Sequence, residues 1–191
     1  MFTSAAIISL TVALLRGGSF RRLAEAKVER LWLVFVALVI QFGPGWLERL
    51  GLIAVGPWGP VLHVLSYVPL TMMLLANLNL AGAPAMIVGM VLNVIPIAAN
   101  GGKMPVSAAA LTRVGLADLI PSIAPGASYD HVIINPTTRL AFLGDVIPQI
   151  WPPQLANVFS LGDLVLGIGL FLMVQQLTGA GARCSGCRAG R

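Results

Sequence analysis

The stretch that decides the class of fold is Val61–Leu80, VLHVLSYVPLTMMLLANLNL, which contains no Asp, Glu, Lys or Arg. About 20 apolar residues in a helix match the roughly 30 Å hydrocarbon core of a bilayer. The whole chain has the same character, since 57% of its 191 residues are apolar and only 10% are charged. Soluble domains carry about 25% charged residues. The composition therefore predicts an integral membrane protein whose surface is covered by lipid.

Four further apolar stretches predict more spans, so the expected fold class is an all-α membrane protein of about five transmembrane helices. The first stretch is about 21 Å long, so it crosses only if the bilayer thins locally or flanking residues join it. In the second, Gly43-Pro44-Gly45 is expected to break the helix before Trp46, an interfacial anchor. The predicted spans, all within one transmembrane domain over 1–178, are residues 2–15, 31–47, 61–80, 85–100 and 160–177.

The distribution of Lys and Arg predicts the orientation. Five basic residues lie between Arg16 and Arg30 and three lie in the tail 179–191, together eight of the twelve. The positive-inside rule places both segments in the cytoplasm, with the N-terminus outside and the C-terminus inside. If the first stretch does not span, only the N-terminus changes side. We expect no cleavable signal peptide, because the positive charges follow this stretch.

Two segments outside the spans have their own predicted structure. Apolar residues recur at helical spacing among the charges of 16–30, which predicts a basic amphipathic helix on the cytoplasmic surface. The proline-rich section 101–157 faces outside and is expected to hold two short interfacial helices. One is N-capped by Ser107 and continues to Ile120; the other begins with Asn135 and Pro136 and ends near Gly144. The tail 179–191 is predicted to be disordered.

Polar residues of the spans and of the outer section form a candidate site at the outer edge. Ionisable groups inside spans are candidates for function because an unpaired charge in lipid is costly. Structural roles compete with this interpretation: Asp163 fits a capping box with Ser160, and His63 and Asn93 suit hydrogen bonds between helices. Asp145 suits the bracing of a turn. The candidate residues are His63, Tyr67, Asn93, Asn100, Lys103, Asp145 and Asp163.

Several site classes are disfavoured. The second histidine, His131, lies in the outer section, so a bis-histidine haem is not expected, and zinc would need more converging ligands. Cys184 and Cys187 have redox or metal spacing, but they have no second pair, which favours acylation or a disordered tail. The net charge of +5 indicates lipid contacts rather than nucleic acid, because no stacking aromatics accompany the basic residues. No catalytic motif, metal or cofactor is assigned.

Three polar segments carry a resemblance to a known family. Asn100-Gly-Gly-Lys-Met-Pro-Val-Ser107, Leu143-Gly-Asp-Val-Ile-Pro148 and Phe159-Ser-Leu-Gly-Asp163 are similar to segments of a bacterial membrane protein family, domain of unknown function 5317. The resemblance covers most of the chain, apart from the Cys-Ser-Gly-Cys tail. It implies a bacterial origin and a location in the cytoplasmic membrane, and it implies that the three segments assemble on the outer side.

Three functions remain open at this point. The favoured hypothesis is a non-catalytic membrane subunit or binding module that holds a membrane protein partner or a lipid- or quinone-like ligand. One alternative is a membrane enzyme acting on an isoprenoid or lipid substrate, with Asp145, Asp163 and His63 as acid–base groups. The other is a small transporter, although no span carries a mid-membrane charge and no inverted repeat is apparent.

Overall fold

The structure, a computed structural model, describes residues 2–123 and 128–180 and is mostly helical, as predicted. The described residues form nine α-helices: α1 Phe2–Leu15, α2 Phe20–Glu25, α3 Trp32–Arg49, α4 Trp58–Leu65, α5 Tyr67–Ala76, α6 Ala83–Ala99, α7 Ala108–Arg113, α8 Ile120–Ile123 and α9 Leu161–Leu177. They also form four strands: β1 Met104–Val106, β2 His131–Ile133, β3 Ile147–Gln149 and β4 Asn157–Phe159.

The long helices pack as a row in the order α1, α9, α6, α5 and α3. Helix α6 is central, because it contacts α9 on one side and α5 on the other. Glycines allow α6 and α9 to approach closely: a Cβ on Gly89 would lie 2.6 Å from the carbonyl oxygen of Gly162. The main apolar core fills the space between α3, α5, α6 and α9 and includes Leu74 and Met90.

Contacts at the two ends of the row identify which helix ends lie together. At one end, Gln149 Nε2 donates to Ser4 Oγ (2.7 Å), and the strands cover the start of α9. We call this the strand end. At the other end, Ser19 N donates to the carbonyl oxygen of Thr178 (3.0 Å), which joins α2 to the end of α9. We call this the basic end.

The four strands correct the all-α expectation. β1 and β2 pair in parallel, with Met104 opposite His131, and β3 and β4 pair antiparallel, with Ile147 opposite Phe159. Each strand has three residues, too few for an alternating pattern to be recognised in the sequence. They pack around a second small core that includes Val106 and Val158.

One helix among the described residues is long and apolar enough to cross a membrane. It is the α4–α5 unit Trp58–Ala76, 19 residues with a mean hydropathy of 1.5, of which a third is buried. Ser66 marks a turn inside it, where its hydroxyl donates to the carbonyl oxygen of His63 (2.7 Å). Three shorter apolar helices accompany it: Thr3–Leu15, Ala83–Ala99 and Leu161–Leu177.

Two predictions about the helices in the N-terminal half of the chain were wrong. The amphipathic helix over 16–30 is reduced to the six residues of α2, because the backbone of Ala26 is already extended, with a ψ of 129°. Beyond it, Glu29 N binds the side chain of Asn77 and Arg30 has a positive φ of 54°. Gly43-Pro44-Gly45 does not end α3, since Pro44 removes only one helical hydrogen bond. Gly45 instead makes room for the ring of Tyr129.

Both short helices of the outer section differ from the prediction. Ser107 does cap α7, as predicted, but that helix ends at Arg113 because Gly115 adopts a φ of 77°. A 3-10 turn and α8 follow, with Pro121 inside the first turn of α8, where proline is tolerated. No helix runs from Asn135 to Gly144, because the Asn135 side chain accepts from Thr137 N (2.9 Å) and forms a turn.

Candidate functional site

A ring of hydrogen bonds joins the strand end of α6 to the start of α9. Ser160 Oγ donates to Asn93 Oδ1 (2.7 Å), and Asn93 Nδ2 donates to Asp163 Oδ1 (2.8 Å). The backbone N–H of Asp163 donates to Ser160 Oγ (2.9 Å), which confirms the predicted capping box. Asn93 of α6 is therefore hydrogen-bonded to two residues at the start of α9, and Oδ1 of Asp163 already accepts a hydrogen bond.

His63 and Tyr67 lie one helical turn apart beside this ring. His63 is buried, and its Nδ1 lies 3.0 Å from the carbonyl oxygen of Gly102. Since a carbonyl can only accept, Nδ1 carries the proton, and Nε2 of the neutral ring is an acceptor. The Tyr67 ring centroid lies 5.9 Å from that of His63, and its hydroxyl makes no hydrogen bond within residues 2–123 and 128–180.

The sequence interpretation missed a second group of side chains, which faces His63 from the strand segments. His131 Nδ1 lies 3.1 Å from Asp130 Oδ1, and His131 Nε2 lies 3.7 Å from Asp145 Oδ2. Ser128 Oγ donates to the same Asp130 oxygen (2.6 Å) and so holds that carboxylate against the imidazole. The imidazole is therefore placed between two carboxylates.

Asp145 has an unusual environment for a carboxylate. Its backbone is fixed on both sides, because its N–H donates to Pro105 O (2.7 Å) and its carbonyl accepts from Ser107 N (2.9 Å). Its side chain is only 13% exposed, and Oδ1 is buried with no hydrogen-bond partner among the described residues. A buried oxygen without a partner is costly when charged, so this group favours a proton or a bound ligand.

The protonation states follow from burial and from the neighbouring charges. Burial raises the pKa of Asp145 to about 7, the charge of Asp163 adds to the shift, and His131 opposes it. Burial works against charge on His131 and Asp130 as well, but their mutual hydrogen bond and attraction prevail. The pKa of His131 is therefore raised and that of Asp130 is lowered. At neutral pH Asp130 is ionised, and Asp145 lies near the middle of its titration.

Five of the seven predicted residues come together here, and two do not. Asn100 binds the backbone of Arg139 through both its amide nitrogen (2.8 Å) and its oxygen (3.0 Å), so it holds a loop. Lys103 Nζ donates to Ser128 O (2.6 Å) and likewise braces a loop. We define the polar cluster as His63, Tyr67, Asn93, Asp130, His131, Asp145, Ser160 and Asp163. Its functional role stays a prediction.

The polar cluster consists of three contact groups whose charges act on one another: the Asn93–Ser160–Asp163 ring, the His63–Tyr67 pair and the Asp130–His131–Asp145 group. The charges of Asp145 and Asp163 act on the Tyr67 hydroxyl, and those of Asp130 and His131 act on His63. Asp130 and His131 follow Ser128 in a short turn, and only the pairing of β2 with β1 carries them to His63. A Ser-Tyr-Asp-His run in a loop was the one signal for them in the sequence.

An apolar groove runs between the α4–α5 unit and α6, and Tyr67 is the one member of the polar cluster among its lining residues. It consists of two adjoining cavities of about 380 Å³ and 460 Å³ that share Val64 and Val68. Tyr67 lines the first, and Gly102, whose carbonyl binds His63, lines the second. The other wall is formed by α6 residues that recur at helical spacing: Ile87, Met90, Val91, Val94, Ile95 and Ala98.

Metal ligands do not converge in the part of the chain that the structure describes. No three His, Cys, Asp or Glu side chains there are arranged so that they could hold an ion. The tail predicted to be disordered begins at Gly179, but Gly179 and Ala180 form a hydrogen-bonded turn at the end of α9, and the rest of the tail, with Cys184 and Cys187, lies outside the described residues.

Comparison with known proteins confirms the resemblance found in the sequence. Residues 25–175 match the family of unknown function DUF5317. An uncharacterised protein of Thermotoga maritima is 28% identical over 166 residues, which cover 87% of this chain and 85% of that protein. No solved structure matches the chain.

Proposed function

We propose, on the premise that this chain belongs to the DUF5317 family, that it is a multi-pass membrane protein that binds a lipid-like ligand without transforming it. The ligand's apolar chain lies in the groove between the α4–α5 unit and α6, and its head lies at the polar cluster. The observation that carries the proposal is Tyr67, which lines the apolar groove and interacts with the charges of Asp145 and Asp163.

The exposed apolar surface of the bundle supports a membrane location, and the number of five spans is part of our proposal. Large apolar side chains are exposed along α3, where Phe35 is 66% and Phe42 61% accessible, and lipid would cover them. Helices α1, α3, α6 and α9 would cross beside the α4–α5 unit. The basic residues around α2 lie at one end of the row and the polar cluster at the other. We therefore propose the N-out, C-in topology, with the strand end outside.

The shape of the groove supports a chain-like occupant. Its α4–α5 wall extends from Pro60 to Met72, about 18 Å at 1.5 Å per residue, which suits an acyl or isoprenoid chain. Several lining side chains, such as Val68 and Val91, are about half exposed, so the groove is open to the bilayer. A ligand can therefore enter from the side without unfolding the bundle.

The test is native mass spectrometry of protein extracted gently from its own membrane. Val91→Trp fills the groove from α6, while the control Ile168→Trp places the same side chain at an equally exposed position on α9, 51% in both cases. We expect a lipid-like mass on the wild type and on Ile168→Trp, and its loss in Val91→Trp. Retention in Val91→Trp, or a stoichiometric protein partner with no ligand, would overturn the proposal.

The unpaired Asp145 oxygen beside His131 favours a second candidate function, a membrane enzyme that moves a proton on the ligand's head. In that case the wild type would carry both a substrate mass and a product mass, and Asp145→Asn would carry the substrate alone. An unchanged ligand in both proteins would support pure binding.

A further inference from the structure

We infer that the head of the groove's ligand donates hydrogen bonds and carries no negative charge, which makes it an amine or a hydroxyl rather than a phosphate. The inference deepens the proposed function and rests on it. It comes from the balance of charges and of hydrogen-bonding groups in the polar cluster, which adjoins the groove through Tyr67, a lining residue whose ring lies 5.9 Å from that of His63.

Carboxylates outnumber cations in the polar cluster. Asp130, Asp145 and Asp163 supply three carboxyl groups, and His131 is the one described side chain that forms ion pairs with any of them. Lys103 Nζ donates to the carbonyl oxygen of Ser128 and keeps its charge, so even with Lys103 counted the carboxyl groups number three against two cations. The polar cluster beside the groove is therefore electronegative, and a phosphate brought there would be repelled and would lose its hydration.

The uncommitted groups of the polar cluster can all accept a hydrogen bond. His63 Nε2 only accepts, because Nδ1 is committed to Gly102. The Tyr67 hydroxyl and the Asp145 carboxyl, whose Oδ1 has no partner among the described residues, can also donate, Asp145 when it holds its proton. A head that brings N–H or O–H groups can therefore satisfy every one of these atoms, whereas a head that brings only acceptor oxygens leaves His63 Nε2 and the ionised form of Asp145 unsatisfied.

The natural anion site of this region is already occupied. Helix N-termini bind phosphates through free backbone N–H groups, and α9 begins directly at the polar cluster. In this protein the Ser160 side chain accepts from the N–H of Asp163, and the Asp163 carboxylate supplies the negative charge in the first turn. A phosphate there would compete with a carboxylate of the chain itself.

The experiment compares dodecylamine, dodecanol and dodecyl phosphate, which share one tail, on the full-length protein in phosphatidylcholine nanodiscs at pH 7. Binding is measured by equilibrium dialysis and corrected with empty nanodiscs, which removes partition into lipid. We expect the amine or the alcohol to bind at least about tenfold more tightly than the phosphate, because like charges oppose the phosphate. Val91→Trp is expected to abolish binding of all three probes.

Carboxylate variants test whether the polar cluster causes the preference. Asp145→Asn should reduce the ratio of amine to phosphate binding severalfold, and Asp163→Asn, a second variant in case the first does not fold, should do the same. Asp118→Asn removes a charge from an exposed position of the outer section and should leave the ratio unchanged.

The possible outcomes separate the two proposals. Equal or tighter binding of the phosphate, still blocked by Val91→Trp, overturns the head-group inference and leaves the groove in place. Absence of binding by all three probes overturns the proposed function itself. A preference that persists undiminished in both Asp145→Asn and Asp163→Asn also overturns the inference, because its cause would then lie elsewhere.

Discussion

At the scale of single residues, Asp145 combines a fixed backbone with an unsatisfied side chain. The hydrogen bonds to Pro105 and Ser107 hold its backbone in place, and in this position its Oδ1 is buried without a hydrogen-bond partner among the described residues. The cost of the charged form is relieved when the carboxyl takes up a proton, which is why the pKa of Asp145 rises to about 7. Such residues are common at functional sites.

The pKa of Asp145 predicts a pH dependence of stability. In the unfolded chain this carboxyl ionises near its ordinary pKa of about 4, whereas in the folded protein it ionises at about 7. Between these values the folded protein holds a proton that the unfolded chain has released, so the free energy of unfolding falls as the pH rises through this window. Asp145→Asn should therefore raise the melting temperature relative to wild type more at pH 8 than at pH 4.5.

Thermal unfolding of the purified protein at both pH values checks this prediction. Asp118→Asn, an exposed substitution of the same kind, serves as the control and should change the melting temperature little at either pH. An identical effect of Asp145→Asn at pH 4.5 and pH 8 would show that the Asp145 carboxyl does not titrate differently in the folded protein.

At the scale of elements, the crossing of α6 and α9 positions the polar cluster. The helices are close because glycines face each other at two levels, Gly89 against Gly162 and Gly82 against Gly169. This approach brings Asn93 within hydrogen-bond distance of Ser160 and Asp163. A wider crossing would separate these groups and would also change the angle at which α6 forms the groove wall.

Adding one methyl group at the crossing should therefore be costly. A Cβ on Gly89 would lie 2.6 Å from Gly162 O and 2.7 Å from Leu166 N, both backbone atoms that cannot move without shifting α9. We expect Gly89→Ala to destabilise the protein by about 1–3 kcal/mol.

The matched control is Gly43→Ala in the middle of α3, where a Cβ would meet only Val39 Cγ1 at 3.8 Å. Alanine is the better helix former, but the ring of Pro44 disfavours a helical residue with a Cβ directly before it, so the two effects oppose each other and this variant should lose much less stability than Gly89→Ala. Thermal unfolding of both variants in the same detergent makes the comparison. Equal melting temperatures would mean that the α6–α9 crossing widens freely.

At the scale of the whole molecule, the row of helices has chemically different ends. The basic end joins α2 to the last turn of α9 through Ser19 and Thr178, and the strand end carries the polar cluster. Basic residues are retained on the cytoplasmic side during insertion, so the proposed orientation places the polar cluster outside.

Cysteine labelling tests this orientation. In a variant with Cys184 and Cys187 replaced by serine, Ala24→Cys lies exposed on α2, and Gln154→Cys lies exposed between β3 and β4. A membrane-impermeant maleimide applied to intact cells should label Gln154→Cys alone, and permeabilised cells should show both. Labelling of Ala24→Cys alone would invert the topology, and labelling of both in intact cells would contradict a bundle that spans the membrane.

The sequence by itself determined the features that depend on neighbours along the chain. Apolar composition predicted the helical character, and the three-residue spacing of Ser160 and Asp163 predicted the capping box. Apolar runs predicted where the long helices lie, but of the five predicted spans only the α4–α5 unit is long and apolar enough to cross a membrane among the described residues. These are short-range effects of burial, backbone hydrogen bonding and capping, and each can be recognised within a few turns of helix.

Only the tertiary structure decided the rest. Asp130 and His131 reach Asp145 and His63 because three-residue strands pair across the loops, and no local pattern indicates such pairing. The groove likewise exists only because the α6–α9 and α5–α6 contacts fix where α6 lies relative to the α4–α5 unit. Contacts between segments far apart in the chain depend on packing of the whole bundle, which is why the place of Asp130 and His131 in the polar cluster and the unpaired oxygen of Asp145 could not be derived from the sequence alone.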